Sequence, residues 1–383
     1  MQSLVVTMRR NQKILIIAIL VVLAIYYLML PRKKTSRQRV IDDKKVRHPF
    51  SHYLTQVTKN DTLFHSFLHL KYSHPDTRLA MQKYLRPHEF SDALDNVAKQ
   101  PDALDSFNVE NDVLVYIHIQ KVGGTVFNSH LINDLILETP CHCEKDVLTN
   151  PCYCKTKQGN IWLFSWFTVG WPCGLHADWT MLHECIDKAM NELEGKQRQR
   201  RYFYITLLRD PVSRYLSEWQ HQKRGEHWED AKLQCGGKRV NLFEARPCFQ
   251  DTWEGVTLRE FMQCKDNLAT NRQTRMLADL TKSECYKKNK LIEKDNLRLK
   301  SAQENLEQMA FFGLTRYQRE TQKLFEKTFN MKFKKDFERL DDDIDEVHVS
   351  EDEFLNMMSY IELDIQLYVH AKDLFMQRTR LLL

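Results

Sequence analysis

Residues 113–125 read VLVYIHIQKVGGT, a β-branched and aromatic run that breaks at two adjacent glycines. The chain resumes at once as TVFNSHLINDLIL (125–137), with its larger apolar residues at helical spacing. The same succession recurs twice. RYFYITLL (201–208) leads into the proline-started helix RDPVSRYLSEWQ (209–220), and MAFFGL (309–314) leads into TRYQRETQKLFEKTF (315–329). Strands alternating with helices predict an α/β fold, a mostly parallel sheet covered by helices on both faces. Such sheets bind ligands beyond the carboxyl ends of their strands. His118 to Thr125 and Arg209 to Ser217 both sit at such ends, so one crevice is expected to hold both, although Lys121 and Arg209 are 88 positions apart. A long amphipathic helix from about Glu351 to about Arg378 is expected to close the chain.

The chain has only 11 glycines in 383 residues, so Gly123 and Gly124 side by side stand above background. Backbone amides in a glycine-bearing turn, aimed by a helix N-terminus, hold anionic oxygens without dedicated side chains. Lys121 adds a point charge and Thr125 a hydroxyl. A nucleotide triphosphatase would place its lysine after the glycines, in G-x-x-x-x-G-K-[ST]; here lysine precedes the pair. A kinase G-x-G-x-x-G is also missing, so phosphoryl transfer is disfavoured. In the second segment Arg209 offers a bidentate guanidinium, with Ser217 two turns along the same helix.

Residues 14–30, ILIIAILVVLAIYYLML, form 17 uncharged positions, the lower limit for a bilayer span. No small-x-small cleavage site follows, which predicts an uncleaved membrane anchor. Three basic residues precede the span and five follow, the reverse of the positive-inside expectation. The sequon at Asn60 and ten cysteines, all between Cys141 and Cys285, argue instead for a luminal C-terminal domain. The expected organisation is a cytoplasmic tail (1–13), the anchor (14–30), a basic stem (31–60) and a luminal domain (61–383) with a helical lead-in before Phe107. CHCEKDVLTNPCYC (141–154) pairs two Cys-x-Cys units. Their spacing is narrower than structural zinc sites favour, and disulfides of unspecified connectivity are expected, with no metal. HSFLHLKYSH (65–74) reads as a helix face. The net charge of +5 permits an acidic partner and does not single out nucleic acid, so no nucleic-acid partner is expected.

IHIQKVGGT, GWPCGLHADWT, YFYITLLRDPVSRYLSEW, NLATNRQTRMLADL and AFFGLTRYQRETQKLFEKTFNMKF together closely resemble the heparan sulfate 6-O-sulfotransferases. The likeness runs from about Phe107 to about Arg378. It implies a P-loop-like sulfotransferase fold in a type II Golgi membrane protein. The donor would be 3′-phosphoadenosine 5′-phosphosulfate, and the acceptor the 6-hydroxyl of glucosamine in a heparan sulfate chain. Carried over by motif, His118, Ile119, Gln120, Lys121, Val122, Gly123, Gly124, Thr125 and Val126 would line the 5′-phosphosulfate. Arg209 and Ser217 would take the 3′-phosphate, and Glu338, Arg339 and Leu340 would help cover the nucleotide. His176, in GLHADWT, matches the general base, with Lys121 assisting the leaving group. Trp171, His221 and Trp228 match acceptor contacts.

The chain departs from that pattern at Val122 (usually threonine), at Asn128-Ser129 (usually Gly-Arg), at Asn150-Pro151 (usually a basic pair) and at Trp166, a further acceptor position where relatives carry arginine. These changes bear on substrate preference more than on chemistry. Lys223, Arg224 and the clusters KQRQRR (196–201) and YKKNK (286–290) are candidate polyanion contacts, though for the two clusters a solvated face is the better reading. A sulfotransferase of 2-O specificity and a non-catalytic binder of sulfated glycans are the alternative functions. Retention of His176 weighs against the second.

Overall fold

The computed structural model describes residues 77–85, 107–144, 152–225, 233–241, 244–246, 248, 252–287, 292–338 and 349–382. The apolar run 14–30, the stem, Asn60, the segment 65–74, Asn150, Pro151, Trp228, Arg339 and Leu340 lie outside these residues. Among the described residues no helix is long and apolar enough to cross a membrane.

A lead-in helix, α1 (Thr77–Leu85), precedes the central strand β1 (Asp112–Ile117) and helix α2 (Gly124–Asn133). Two short strands, β2 (His142–Cys143) and β3 (Cys152–Tyr153), form an antiparallel hairpin. Then come β4 (Leu163–Phe164), α3 (Trp166–Val169), α4 (Trp179–Glu194), β5 (Arg201–Leu208) and α5 (Pro211–Lys223). After a small ribbon of β6 (Gln234–Cys235) and β7 (Lys238–Arg239), the chain forms α6 (Leu258–Gln263), α7 (Arg272–Leu277) and α8 (Ile292–Gln308). β8 (Phe311–Leu314), α9 (Gln318–Phe329), α10 (Glu351–Tyr360) and α11 (Glu362–Leu382) complete it.

The main sheet runs β4-β1-β5-β8, every neighbouring pair parallel. All six side chains of β1 are buried, as a strand covered on both faces requires. Because β4 lies on one side of β1 and β5 on the other, the order reverses beside β1. The loops after β1 and β5 therefore open at the switch point where α/β sheets bind ligands.

Two sequence expectations need correcting. The helix over 125–137 stops at Asn133, because Leu135 bridges Phe333 and Ile136 N donates to the Lys332 carbonyl at 2.8 Å. The closing helix is two helices. Asn271 N donates to the Tyr360 carbonyl at 3.1 Å, and Asn271 Oδ1 accepts from Leu363 N and Asp364 N, so one distant side chain caps the second helix.

All ten cysteines pair: Cys141–Cys154, Cys143–Cys152, Cys173–Cys185, Cys235–Cys285 and Cys248–Cys264. The first two staple the β2–β3 hairpin. Beneath the sheet ends lies a buried ionic cluster in which Glu218 of α5 takes both Arg214 and Arg272, with Asp364 of α11 alongside. Burial favours the protonated carboxyl of Glu218, but the two guanidiniums outweigh that and hold it at about 2. The cluster ties α5, α7 and α11 together.

Candidate functional site

The turn after β1 has a backbone that only glycine permits at its helix start. Lys121 and Gly123 both have positive φ (65° and 82°), and Gly123 caps α2 without a side-chain bond to the first-turn amides. Those amides lack intrahelical partners by construction. A Cβ at Gly124 would lie 2.4 Å from His118 Cδ2 and 2.5 Å from the Tyr116 hydroxyl, so only glycine lets the helix start there. The Ile119 and Val122 side chains are wholly buried, and Gln120 nearly so. Ile119 and Val122 therefore face the turn through backbone alone. Lys121 is partly buried, and Thr125 and Val126 are exposed at its mouth.

Arg209 reaches this turn. Its Nη1 donates to the Lys121 carbonyl at 3.1 Å, joining two segments that the sequence holds 88 positions apart. Gln273 of α7 fixes Arg209 from behind by a two-way amide contact: Arg209 N to Gln273 Oε1 at 2.9 Å, and Gln273 Nε2 to the Arg209 carbonyl at 3.0 Å. The end of β8 joins as well, since Thr315 Oγ1 donates to the Val122 carbonyl at 2.6 Å. Ser217 lies half-buried two turns along α5. Gln273 and Thr315 are site-building residues that no local pattern announces; each acts through long-range hydrogen bonds to backbone groups.

His176 completes the cluster. It sits at positive φ (51°) in the loop between α3 and α4, which the Cys173–Cys185 disulfide ties to α4. Asp178 caps α4 by accepting from Met181 N at 2.9 Å, and burial lifts its carboxyl to about 6. The His176 Nδ1 lies 3.2 Å from the His118 carbonyl oxygen. A carbonyl only accepts, so Nδ1 carries the proton and Nε2 is the basic nitrogen. The two imidazoles approach with ring centres 4.9 Å apart. Desolvation, reinforced by His118, brings His176 down to about 3, and desolvation brings His118 to about 4. Both rings are neutral at physiological pH.

Aromatic rings continue outward from this pair. Trp171 lies 4.8 Å from His176, Trp166 stacks on Trp171 at 5.3 Å, and Trp166 also stacks against His118 at 6.0 Å. Trp166 also stacks on Phe167 at 4.5 Å and keeps 37% of its surface exposed. His221 is partly buried on the last turn of α5, where Lys223 lies over the Trp219 ring at 5.0 Å. Glu338 is exposed at the end of a segment that packs on α2 through Phe337, stacked on His130 at 4.4 Å. The KQRQRR cluster is not a solvated face throughout: Arg198 and Arg200 both bind Glu194, and Arg201 grips Asp112 through two nitrogens. Of YKKNK, Tyr286 points inward to Asp178 at 3.3 Å. Among the described residues no group of three or more His, Cys, Asp or Glu side chains is placed to hold a metal ion.

A family model described as "Sulfotransferase family" matches residues 105–369. Heparan-sulfate 6-O-sulfotransferase 1 of Cricetulus griseus is 47% identical over 274 residues, covering 70% of this chain and 68% of that protein. The Homo sapiens protein of the same name is 47% identical over 274 residues, with 70% and 66% covered. Heparan-sulfate 6-O-sulfotransferase 3 of Homo sapiens is 46% identical over 280 residues, with 71% and 59% covered.

Proposed function

This chain belongs to the heparan-sulfate 6-O-sulfotransferase family, and we propose that it transfers a sulfuryl group from 3′-phosphoadenosine 5′-phosphosulfate to the 6-hydroxyl of glucosamine in heparan sulfate. That it is a sulfotransferase acting on heparan sulfate follows from its relatives; the donor, the position and the residue roles are the proposal. The observation that carries it is the joining of Arg209 to the Lys121 carbonyl, with the His176 ring hydrogen-bonded to the same loop. One end of the cradle suits a 5′-phosphosulfate, at the amides of 122–125 and Lys121. The other suits a 3′-phosphate, at Arg209 and Ser217.

In the reaction the acceptor oxygen forms a bond to sulfur while the bond from sulfur to the 5′-phosphate oxygen breaks. His176 Nε2 takes the hydroxyl proton, and the 5′-phosphate leaves with the electron pair, its charge met by Lys121 and the loop amides. A base held near 3 is a weak one. One donor negative charge about 4 Å away, at an effective dielectric of ~20, favours imidazolium by roughly 4 kcal/mol, about three pKa units. Binding the donor thus makes His176 a better base in the complex that needs it. Trp166 and Trp171 offer ring faces to the sugar, with His221 and Trp228 as further acceptor contacts. Glu338, Arg339 and Leu340 are assigned to the nucleotide cover.

The apolar run 14–30 and the sequon at Asn60 further support a single-pass type II protein of the Golgi, residues 61–383 forming its luminal catalytic domain. The full chain, incubated with sulfur-labelled donor and desulfated heparan, should label the glucosamine 6-position on disaccharide mapping. Label on the uronic acid 2-position would replace this reading with the 2-O alternative. Binding without transfer would leave a non-catalytic glycan binder.

A further inference from the structure

Helix α1 (Thr77–Leu85) lies ahead of the residues matched by the family model, which begins at 105. It is nonetheless built into the core. Met81 and Leu85 are buried in one apolar cluster with Val212, Tyr215 and Leu216 of α5 and Ile365 of α11. At its first residue, Thr77 Oγ1 donates to Glu362 Oε1 at 2.5 Å and accepts from Gln366 Nε2 at 3.0 Å. Near its far end the Tyr84 hydroxyl donates to Asp210 Oδ2 at 2.6 Å.

Asp210 is the residue next to Arg209, and its two oxygens are divided between two tasks. Oδ1 caps α5 by accepting from Ser213 N at 2.9 Å, while Oδ2 takes the Tyr84 hydroxyl. The second bond, from an element on the other side, fixes the carboxylate plane and with it the backbone turn that aims Arg209. We propose that Tyr84 is a positioning residue for the donor site: through Asp210 it sets the Arg209 guanidinium on the nucleotide's 3′-phosphate, making α1 part of the binding apparatus. The inference rests on the reading of Arg209 as the 3′-phosphate contact.

Burial, with Asp210 adding to it, keeps the Tyr84 phenol far above its ordinary range, so it remains a donor at every working pH. Arg316, in the turn after β8, pulls the other way by its charge.

The test compares calorimetric affinities for adenosine 3′,5′-bisphosphate and adenosine 5′-monophosphate in the full chain. In wild type the ratio of the two measures the 3′-phosphate grip. Tyr84→Phe, which deletes one oxygen, should cut that ratio about ten-fold, the scale of one hydrogen bond to a charged group, while 5′-monophosphate affinity is retained. Thr77→Val loosens the same helix at its other end without touching Asp210; it should lower the melting temperature and leave the ratio unchanged. An unchanged ratio in Tyr84→Phe, or equal weakening of both nucleotides, overturns the inference and leaves Tyr84 a structural residue. A wild-type protein with no preference for the bisphosphate overturns the 3′-phosphate reading of Arg209 itself, and this inference with it.

Discussion

The His176 ring donates from Nδ1 to the carbonyl oxygen of His118, at the start of the loop after β1, across 3.2 Å. A single hydrogen bond thereby fixes the tautomer and sets the ring beside the loop. General-base help is typically worth about a hundred- to ten-thousand-fold. His176→Ala should lose turnover on that scale while nucleotide affinity stays within a few-fold, checked by labelled transfer and calorimetry on one preparation. Retained turnover would remove His176 from the role of base.

The low proton affinity of His176 makes the pH profiles diverge. The profile of kcat/KM for the donor follows the free enzyme, where His176 titrates near 3. It should therefore be flat from about pH 5 to pH 8 as far as this group is concerned. The profile of kcat follows the loaded complex, where donor charge raises the imidazole, and it should show an acid limb in that range. Acid limbs at the same pH in both profiles would contradict this.

Gly124 is the tightest point of the loop, with His118 and Tyr116 both within 2.5 Å of where a Cβ would stand. Gly124→Ala must push the start of α2 off β1, a shift that overpacking data place at about 1–3 kcal/mol. Donor affinity should fall at least about ten-fold, the equivalent of 1.4 kcal/mol. A donor affinity equal to wild type would show that the cradle tolerates displacement.

Acid should weaken the fold through the same histidines. In the folded chain His118 and His176 take protons only near pH 4 and pH 3, while the unfolded chain takes them near 6.5. Stability is complete above 6.5 and is lost as pH falls from there toward 4. Asp178 works against this trend, because burial raises its carboxyl to about 6 and the folded state gains from protonating it. Between pH 7.5 and pH 5, His118→Gln should therefore lose about 2 kcal/mol less than wild type in urea denaturation. Parallel losses would mean that His118 is solvated in the folded state.

The main strands and the glycine turn after β1 were legible because their signals are local: buried β-branched runs, a proline at a helix start, paired glycines at a turn. What the sequence hid depends on distant partners. β4 has two residues, too few for any periodicity. The break before α11 carries neither glycine nor proline; it exists because Asn271 caps the helix from elsewhere in the chain. Gln273, Thr315 and Tyr84 each reach a strand-end turn by long-range hydrogen bonds, and nothing in their own neighbourhoods marks them. The strand-end rule brought Lys121 and Arg209 into one crevice, but the atom that joins them, a backbone carbonyl, has no sequence signature.

A crystal structure of the full chain with adenosine 3′,5′-bisphosphate bound tests the central claim most directly. The account requires the 5′-phosphate on the amides of 122–125, the 3′-phosphate on Arg209 and Ser217, and His176 Nε2 facing the outer oxygens of the 5′-phosphate. A nucleotide seated away from either turn, or a His176 ring directed away from that phosphate, would contradict it.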